Sequence, residues 1–210
     1  SGQKHVEVHF KDGKEDGLRT EWYENGQKRG EANYVHGKRH GLLTSWHENG
    51  QKWQEINYKD GKKDGLTTLW HVNGKKKYEH YFKDDKKDGM SILWNKNGLK
   101  VFERNFKEGK SHGVQLQFQG RRKKWIEQYY INGKRHGKSI KWNDHGKKVS
   151  EYHNRDGLRH GIETRWAADG KILWQTWWEN GKEIEEGKPS NKARPFIVPI
   201  RHHSIEPEEV

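Results

Sequence analysis

A repeat of 24 residues runs through most of the chain. A first glycine recurs on this spacing, a second glycine follows four residues later, and an aromatic residue comes five residues after that. The first position is filled by Gly13, Gly37, Gly61, Asp85, Gly109, Gly133, Gly157 and Gly181. The aromatic position is filled by Trp22, Trp46, Trp70, Trp94, Phe118, Trp142 and Trp166. A unit this short cannot bury its aromatic residue alone, so neighbouring units must pack into one continuous array.

Each unit is predicted to hold two short strands and two turns. Pairs such as Asn25-Gly26 and Asp60-Gly61 are typical of β-hairpins, because these residues tolerate positive φ. Glycine at this frequency disfavours helices. The sequence therefore predicts an all-β fold, an elongated single-sheet antiparallel meander of tandem β-hairpin repeats, with no long helix between residues 10 and 180.

The alternation of residue types predicts which side chains share a face of the sheet. Even-numbered positions carry Leu18, Thr20, Trp22 and Tyr34, whereas Glu31 and its equivalents are odd-numbered. A three-residue Glu-Asn-Gly loop with a left-handed Gly would let even positions face even positions. On this prediction the seven residues of the aromatic position, from Trp22 to Trp166, stack in one line and are mostly buried. We call them the Trp22 row. A two-residue loop would instead place Glu31 beside Thr20.

The repeats divide the chain into two regions. Residues 1–187 form the predicted array, and residues 188–210 form a tail that contains all four prolines. The apolar run 196–200 suits either a cap over the last strand or a free peptide that binds a partner.

Composition restricts the chemistry. The chain has no cysteine, which excludes disulfides and Cys-ligated metals, and no apolar run of membrane-spanning length. The compartment stays open, with the cytoplasm favoured. The net charge of +12 suits an acidic partner, but lysines that only solvate turns would produce the same charge.

The sequence predicts neither catalysis nor a cofactor or metal site. A glutamate that recurs in every unit lacks the unique environment of a catalytic acid, and it is predicted instead to pair with a lysine, as Glu31 with Lys28. His112, His136 and His160 lie two strands apart, about 10 Å, which is too far to share one ion. The histidine or aspartate side chain at this position is predicted to form a hydrogen bond with the local backbone before the turn glycine.

Two sets of residues are predicted to bind a partner. Aromatic residues on odd positions are either interface hot spots or a cover for neighbouring backbone. This first set is Tyr23, Trp53, Tyr81, Trp125, Tyr129 and Trp177. The second set is a basic patch, Arg121, Arg122, Lys123 and Lys124, which could grip phosphates next to Trp125 or be a solvated turn.

The unit Tyr58-x-Asp60-Gly61-Lys62-x-Asp64-Gly65-x4-Trp70-x2-Asn73-Gly74-x-Lys76-x2-Glu79 resembles the bacterial MORN repeat variant family, and the resemblance covers residues 4–182. It implies a twisted, extended sheet, a binding role and no catalytic residue. Members are often described as antitoxins, and more distant eukaryotic arrays act in membrane tethering and scaffolding. We therefore expect a non-enzymatic scaffold for a protein partner, either as an antitoxin or immunity protein for a toxin or as an assembly adaptor. The alternative is polyanion binding, to nucleic acid or an anionic membrane surface.

Overall fold

The computed structural model describes residues 5–120 and 123–184, and these residues contain no helix. They form strands with the following bounds: β1 Val6–Glu7, β2 Phe10–Lys11, β3 Lys14–Glu15, β4 Gly17–Trp22, β5 Lys28–Val35, β6 Lys38–Trp46, β7 Lys52–Lys59, β8 Lys62–Trp70, β9 Lys76–Lys83, β10 Lys86–Trp94, β11 Lys100–Lys107, β12 Lys110–Gln119, β13 Lys123–Ile131, β14 Lys134–Trp142, β15 Lys148–Arg155, β16 Leu158–Arg159, β17 Gly161–Trp166, β18 Ile172–Glu179 and β19 Lys182–Ile184.

The sheet is an antiparallel meander. Each strand from β4 to β14 pairs with the next strand in sequence, β15 pairs with β16 and β17, and the series continues through β18 to β19. Strand β1 pairs with β4, and β2 and β3 form a separate small hairpin. The predicted all-β fold, a single antiparallel sheet in which consecutive strands run in opposite directions, is therefore confirmed.

Two kinds of turn alternate along the chain. The two-residue turn Asp60-Gly61 has φ of 52° and 86° and joins paired Lys59 and Lys62. The three-residue turn Glu48-Asn49-Gly50 has only Gly50 at positive φ, 77°, and is closed by the His47 amide donating to the Gln51 carbonyl at 2.8 Å. The predicted three-residue loop with a left-handed glycine is therefore confirmed.

The predicted facing of side chains is wrong beyond this turn. Trp46 pairs with Lys52, but Ser45 pairs with Gln54, so Trp53 is an extra residue. The same β-bulge follows every three-residue turn of the described residues. It shifts the second strand by one residue, which moves each side chain to the other face. Thr44 consequently lies opposite Glu55.

The two faces therefore have different compositions from those predicted. The Glu face carries Glu31, Glu55, Glu79, Glu103, Glu127 and Glu151, together with the Trp22 row. Opposite these glutamates lie Thr20, Thr44, Thr68, Ile92, Leu116 and Ile140. The Tyr face carries the even-numbered aromatic residues of the second strands and the cations opposite or beside them. Its members include Tyr34, Arg39, Tyr58, Lys63, Phe82, Lys87, Phe106, Tyr130 and Arg135.

The aromatic row is half-buried rather than mostly buried, because lysines lie between its members. Lys52 pairs across the strands with Trp46, and its ammonium lies 5.7 Å from the ring centre of Trp70. Lys100 over Phe118 and Lys148 over Trp166 repeat this contact at 5.7 and 5.4 Å. The buried side chains of the described residues are mostly small and polar, and Ala32 and Ile56 are the hydrophobic ones among them.

The Tyr face shows the same alternation of rings and cations. Arg39 lies 5.5 Å from the ring centre of Tyr58, and Lys63 lies 5.3 Å from that of Phe82. Each such contact contributes about 0.5–1 kcal/mol at an exposed site, and the lysine stems also cover ring surface. The sheet is thus a single layer in which neighbouring cations cover several of the aromatic rings on each face.

Candidate binding surfaces

The structure divides the six predicted aromatic residues between the two faces. Tyr81, Tyr129 and Trp177 pair with Leu66, Val114 and Ile162 and so lie on the Glu face. The other three lie on the Tyr face: Tyr23 and Trp53 line one cavity, and the Lys141 ammonium lies 5.1 Å from the ring centre of Trp125. The β-bulge causes the division, and the prediction that all six share one face is wrong.

The Glu face also carries a row of apolar side chains, exposed or half-buried, that sequence reasoning assigned to the core. This apolar row consists of Leu18, Leu42, Leu66, Met90, Val114 and Ile162. Leu18, Leu42 and Met90 are 40–44% exposed, and Tyr81 beside the row is 48% exposed. The row recurs every two strands, about 10 Å. The sequence does show it, as an apolar residue directly after the second glycine of every unit except the sixth, where Lys138 takes this place.

Most of the lysines on the Glu face are neutralised within their own unit. In the six hairpins from Lys28 to Lys148, the lysine that follows the three-residue turn pairs with the glutamate three residues later, as Lys28 with Glu31 and Lys124 with Glu127 at 3.3 Å. Burial raises the pKa of Glu151, but hydrogen bonds from Lys148 and Lys138 outweigh it and leave that pKa lowered. The predicted Lys–Glu pairing is therefore confirmed.

The Tyr face carries an excess of positive charge. From β8 to β14 it presents Lys63, Lys87, Arg104, Arg135 and Lys141, whereas the carboxylates of these strands lie on the Glu face or next to the turns. Burial and the nearby charge of Arg104 lower the pKa of Lys87. The positive charge of the chain is thus distributed unequally between the faces.

The basic patch is only partly within the described residues, since Arg121 and Arg122 lie outside them. The Lys123 ammonium donates to the Asp144 carbonyl at 2.6 Å, and Lys124 pairs with Glu127. A cavity of about 230 Å³ lies between Lys123, Trp125 and Asp144.

The repeated histidine or aspartate position links neighbouring turns. The Asp16 carboxylate accepts from the backbone N–H of His36, and Asp88 accepts from that of Glu108, both at 3.1 Å. The His136 Nδ1 accepts from the backbone N–H of Asp156 at 3.5 Å in the same arrangement. The predicted hydrogen bond between this side chain and the backbone is present, but the backbone N–H belongs to the next hairpin and not to the adjacent turn. Within residues 5–120 and 123–184 no three metal-ligating side chains cluster, and no helix suited to crossing a membrane occurs.

A cavity of about 240 Å³ opens on the Tyr face across β4 to β7. Gly30 and Ala32 on β5 and Leu43 on β6 lie at its base, and Trp53 and Tyr58 stand at its side. Trp53 is 46% exposed there. Sequence reasoning singled out Tyr23 and Trp53 but did not predict the cavity, since it placed Gly30 and Trp53 on opposite faces.

Two segments of the chain match a known family. The model of the MORN repeat variant matches residues 15–36 and 39–60, which span the hairpins from β4 to the end of β7. The same pairing, turns and bulge recur in the later hairpins up to β18. No curated protein matches the chain.

Proposed function

We propose that this array, which contains repeats of the MORN variant type, is a non-enzymatic scaffold that binds a protein partner. The observation that carries the proposal is the apolar row of the Glu face, flanked by Tyr81, Tyr129 and Trp177. Apolar side chains that recur on one exposed face favour an interaction surface, and tyrosine and tryptophan are enriched at interface hot spots. MORN repeats commonly serve as binding modules, which supports the same role.

The specific role that we propose is either that of an antitoxin, which neutralises a toxin, or that of an adaptor, which joins two proteins in an assembly. Both roles use a large, preformed surface that changes little on binding. The adjacent hairpins supply such a surface, because the turns at both edges are joined by hydrogen bonds. Gly61 donates its backbone N–H to the Arg39 carbonyl at 2.8 Å, and the Asn49 side chain donates to the Val72 carbonyl at 3.2 Å.

The test is a set of matched substitutions on the partner identified by crosslinking and mass spectrometry. Tyr81→Thr and Tyr129→Thr should each weaken binding about 30-fold, as loss of a hot spot of about 2 kcal/mol requires. Val72→Thr is the control, because Val72 is 61% exposed but lies in a turn away from the row. Unchanged affinity in both tyrosine variants would reject the Glu face as the partner surface.

A second function, polyanion binding by the Tyr face, is favoured by the excess of cations from Lys63 to Lys141. The double variant Arg104→Gln with Lys141→Gln should lower the slope of log K against log salt by about 1–2 for a thymidine oligonucleotide. Lys59→Gln with Lys83→Gln is the control, since these exposed lysines flank two-residue turns. Phosphatidylserine vesicles tested in parallel distinguish a membrane surface from nucleic acid.

A further inference from the structure

The cavity on the Tyr face arises from two small residues in one unit. The positions of Gly30 and Ala32 are occupied elsewhere by larger pairs: Gln54 and Ile56, Tyr78 and His80, Phe102 and Arg104, Ile126 and Gln128, Ser150 and Tyr152, and Trp174 and Thr176. Gly30 pairs with Ser45 and Ala32 with Leu43, so the missing side-chain volume lies in the middle of β5 and β6. This unit therefore has a recess where the others present a side chain.

The walls of the recess are held in place before any ligand arrives. The Arg19 guanidinium donates to Glu15 at 2.7 Å and to Glu21 at 3.0 Å, and the Tyr23 hydroxyl donates to the Trp46 carbonyl at 2.7 Å. Arg39 donates to the Tyr34 hydroxyl at 3.2 Å while stacking on Tyr58. Side chains fixed in this way lose little entropy when a ligand binds.

The size and lining of the recess define what fits it. Its volume of about 240 Å³ is below the ~300 Å³ typical of small-molecule sites and suits one large side chain. Trp53, Tyr58 and the guanidinium planes favour a flat ring, through offset stacking and cation–π contact. Three arginines and two glutamates line the recess. Glu21 is paired with Arg19 and Glu31 with Lys28, so Arg29 and Arg39 leave an excess of positive charge.

We propose that this recess binds one aromatic side chain, tyrosine or tryptophan, presented by an acidic peptide segment. The ring lies over Gly30 and Ala32 beside Trp53, and a neighbouring carboxylate pairs with Arg29 or Arg39. The site lies on the face opposite the apolar row. A single array therefore holds two different partners at once, one on each face.

The test is an NMR titration of the full chain with three acetylated tripeptide amides: glutamate–tyrosine–glutamate, glutamate–leucine–glutamate and lysine–tyrosine–lysine. The glutamate–tyrosine–glutamate peptide should shift the NMR signals of the Gly30 amide and the Trp53 indole N–H. The leucine peptide should bind at least about fivefold more weakly, since an aromatic pair adds about 1 kcal/mol beyond its area. Arg29→Gln should reduce the preference for glutamate over lysine peptides and leave the preference for the ring unchanged.

The decisive variant fills the recess with the residues of the next unit, Gly30→Gln with Ala32→Ile. A Cβ added at Gly30 meets no atom closer than 3.8 Å, so the backbone accepts the change. Peptide binding should be lost in this variant and retained in the control Asn33→Gln, whose side chain lies on the Glu face opposite Leu18. If the double variant does not fold, Gly30→Gln alone makes the same test.

Three results would overturn the proposal: equal binding of the leucine peptide, unchanged binding by the filled variant, or shifts that cluster away from β4 to β7. None of these results bears on the apolar row, which is tested with a different partner and different variants.

Discussion

At the scale of single residues, this protein replaces hydrophobic contacts with contacts between rings and cations. Lys52 shows how one side chain serves three neighbours: it pairs across the strands with Trp46, lies over Trp70 and binds Glu55. Its apolar stem covers ring surface while its ammonium stays hydrated or paired. A chain with only 29% hydrophobic residues folds because its few large rings are shielded in this way.

The carboxylate of Glu163 is fully buried, and two arginines hold it. Arg159 and Arg165 both donate to it, and they in turn lie over the rings of Trp178 and Trp174 at 4.9 and 5.1 Å. Glu163→Gln should lower the free energy of unfolding by about 3 kcal/mol, near the lower end for a broken buried pair, because both arginines are partly exposed. Glu21→Gln, at a more exposed carboxylate, should cost less than about 1 kcal/mol. Equal losses in urea denaturation would contradict this account.

His80 should make stability depend on pH. Burial, followed by the charges of Lys87 and Lys63, lowers the pKa of His80 from 6.5 to about 4. The folded protein therefore keeps the ring neutral while the unfolded chain takes up a proton, so stability is full above pH 6.5 and falls between pH 6.5 and about 4. The loss should be on the order of 1–2 kcal/mol, since the half-buried ring is partly screened by water.

The measurement is the difference in unfolding free energy between the wild type and His80→Gln across this pH range. Glutamine occupies the equivalent position at Gln128, so the variant should fold. Other groups, including Glu151 with its lowered pKa, contribute equally to both proteins and cancel. A difference that stays constant from pH 7 to 4 would show that His80 does not titrate in this way.

At the scale of the hairpin, the two turns were largely predictable, but the bulge was not. Residue pairs such as Asp60-Gly61 and Asn49-Gly50 specify their turns through local backbone preferences. A bulge leaves no comparable mark, because its extra residue is Arg29, Trp53 or Lys77 in successive units. The bulge recurs in every described unit, and the repeat length of 24 residues is even. The alternation of apolar and polar residues along the sequence therefore shows no trace of the bulge.

Asp85 is the exception among the turn glycines, and its side chain compensates for its backbone. Its φ is 64°, a left-handed value that is unfavourable for residues other than glycine, but its carboxylate accepts from the Lys63 backbone N–H at 2.8 Å. Asp85→Gly removes the strain and the bond together and should leave stability nearly unchanged. Asp85→Ala removes only the bond and should cost about 1 kcal/mol in thermal or urea unfolding. A stabilised alanine variant would show that this bond contributes nothing.

At the scale of the whole molecule, each hairpin packs on its neighbours in the sequence, so the array behaves as a one-dimensional stack. Deletion of residues 62–85 removes one unit and brings Gly61 next to Lys86, which restores the usual order of turns and strands. We expect this protein to fold as a narrower sheet, with a denaturant m-value lower by about a tenth.

The matched control for this deletion is the removal of half a unit, residues 62–73. It joins a two-residue turn directly to Gly74 of a three-residue turn and leaves one strand without its antiparallel neighbour. Circular dichroism and urea unfolding should show a cooperative sheet for the first deletion and loss of cooperativity for the second. Similar behaviour of the two would mean that the 24-residue unit is not the folding unit.

The sequence by itself determined the repeat length, the strands, both kinds of turn and the all-β meander. These features depend on local backbone preference and on residues of the same unit, which the repeated pattern shows directly. Only the tertiary structure decided which side chains share a face, because one bulged residue per hairpin reverses the facing of a whole strand. It therefore also decided that Leu18 and Leu42 are exposed, that Trp53 lies on the face opposite Tyr81, and that Gly30 and Ala32 open a recess between Trp53 and Tyr58.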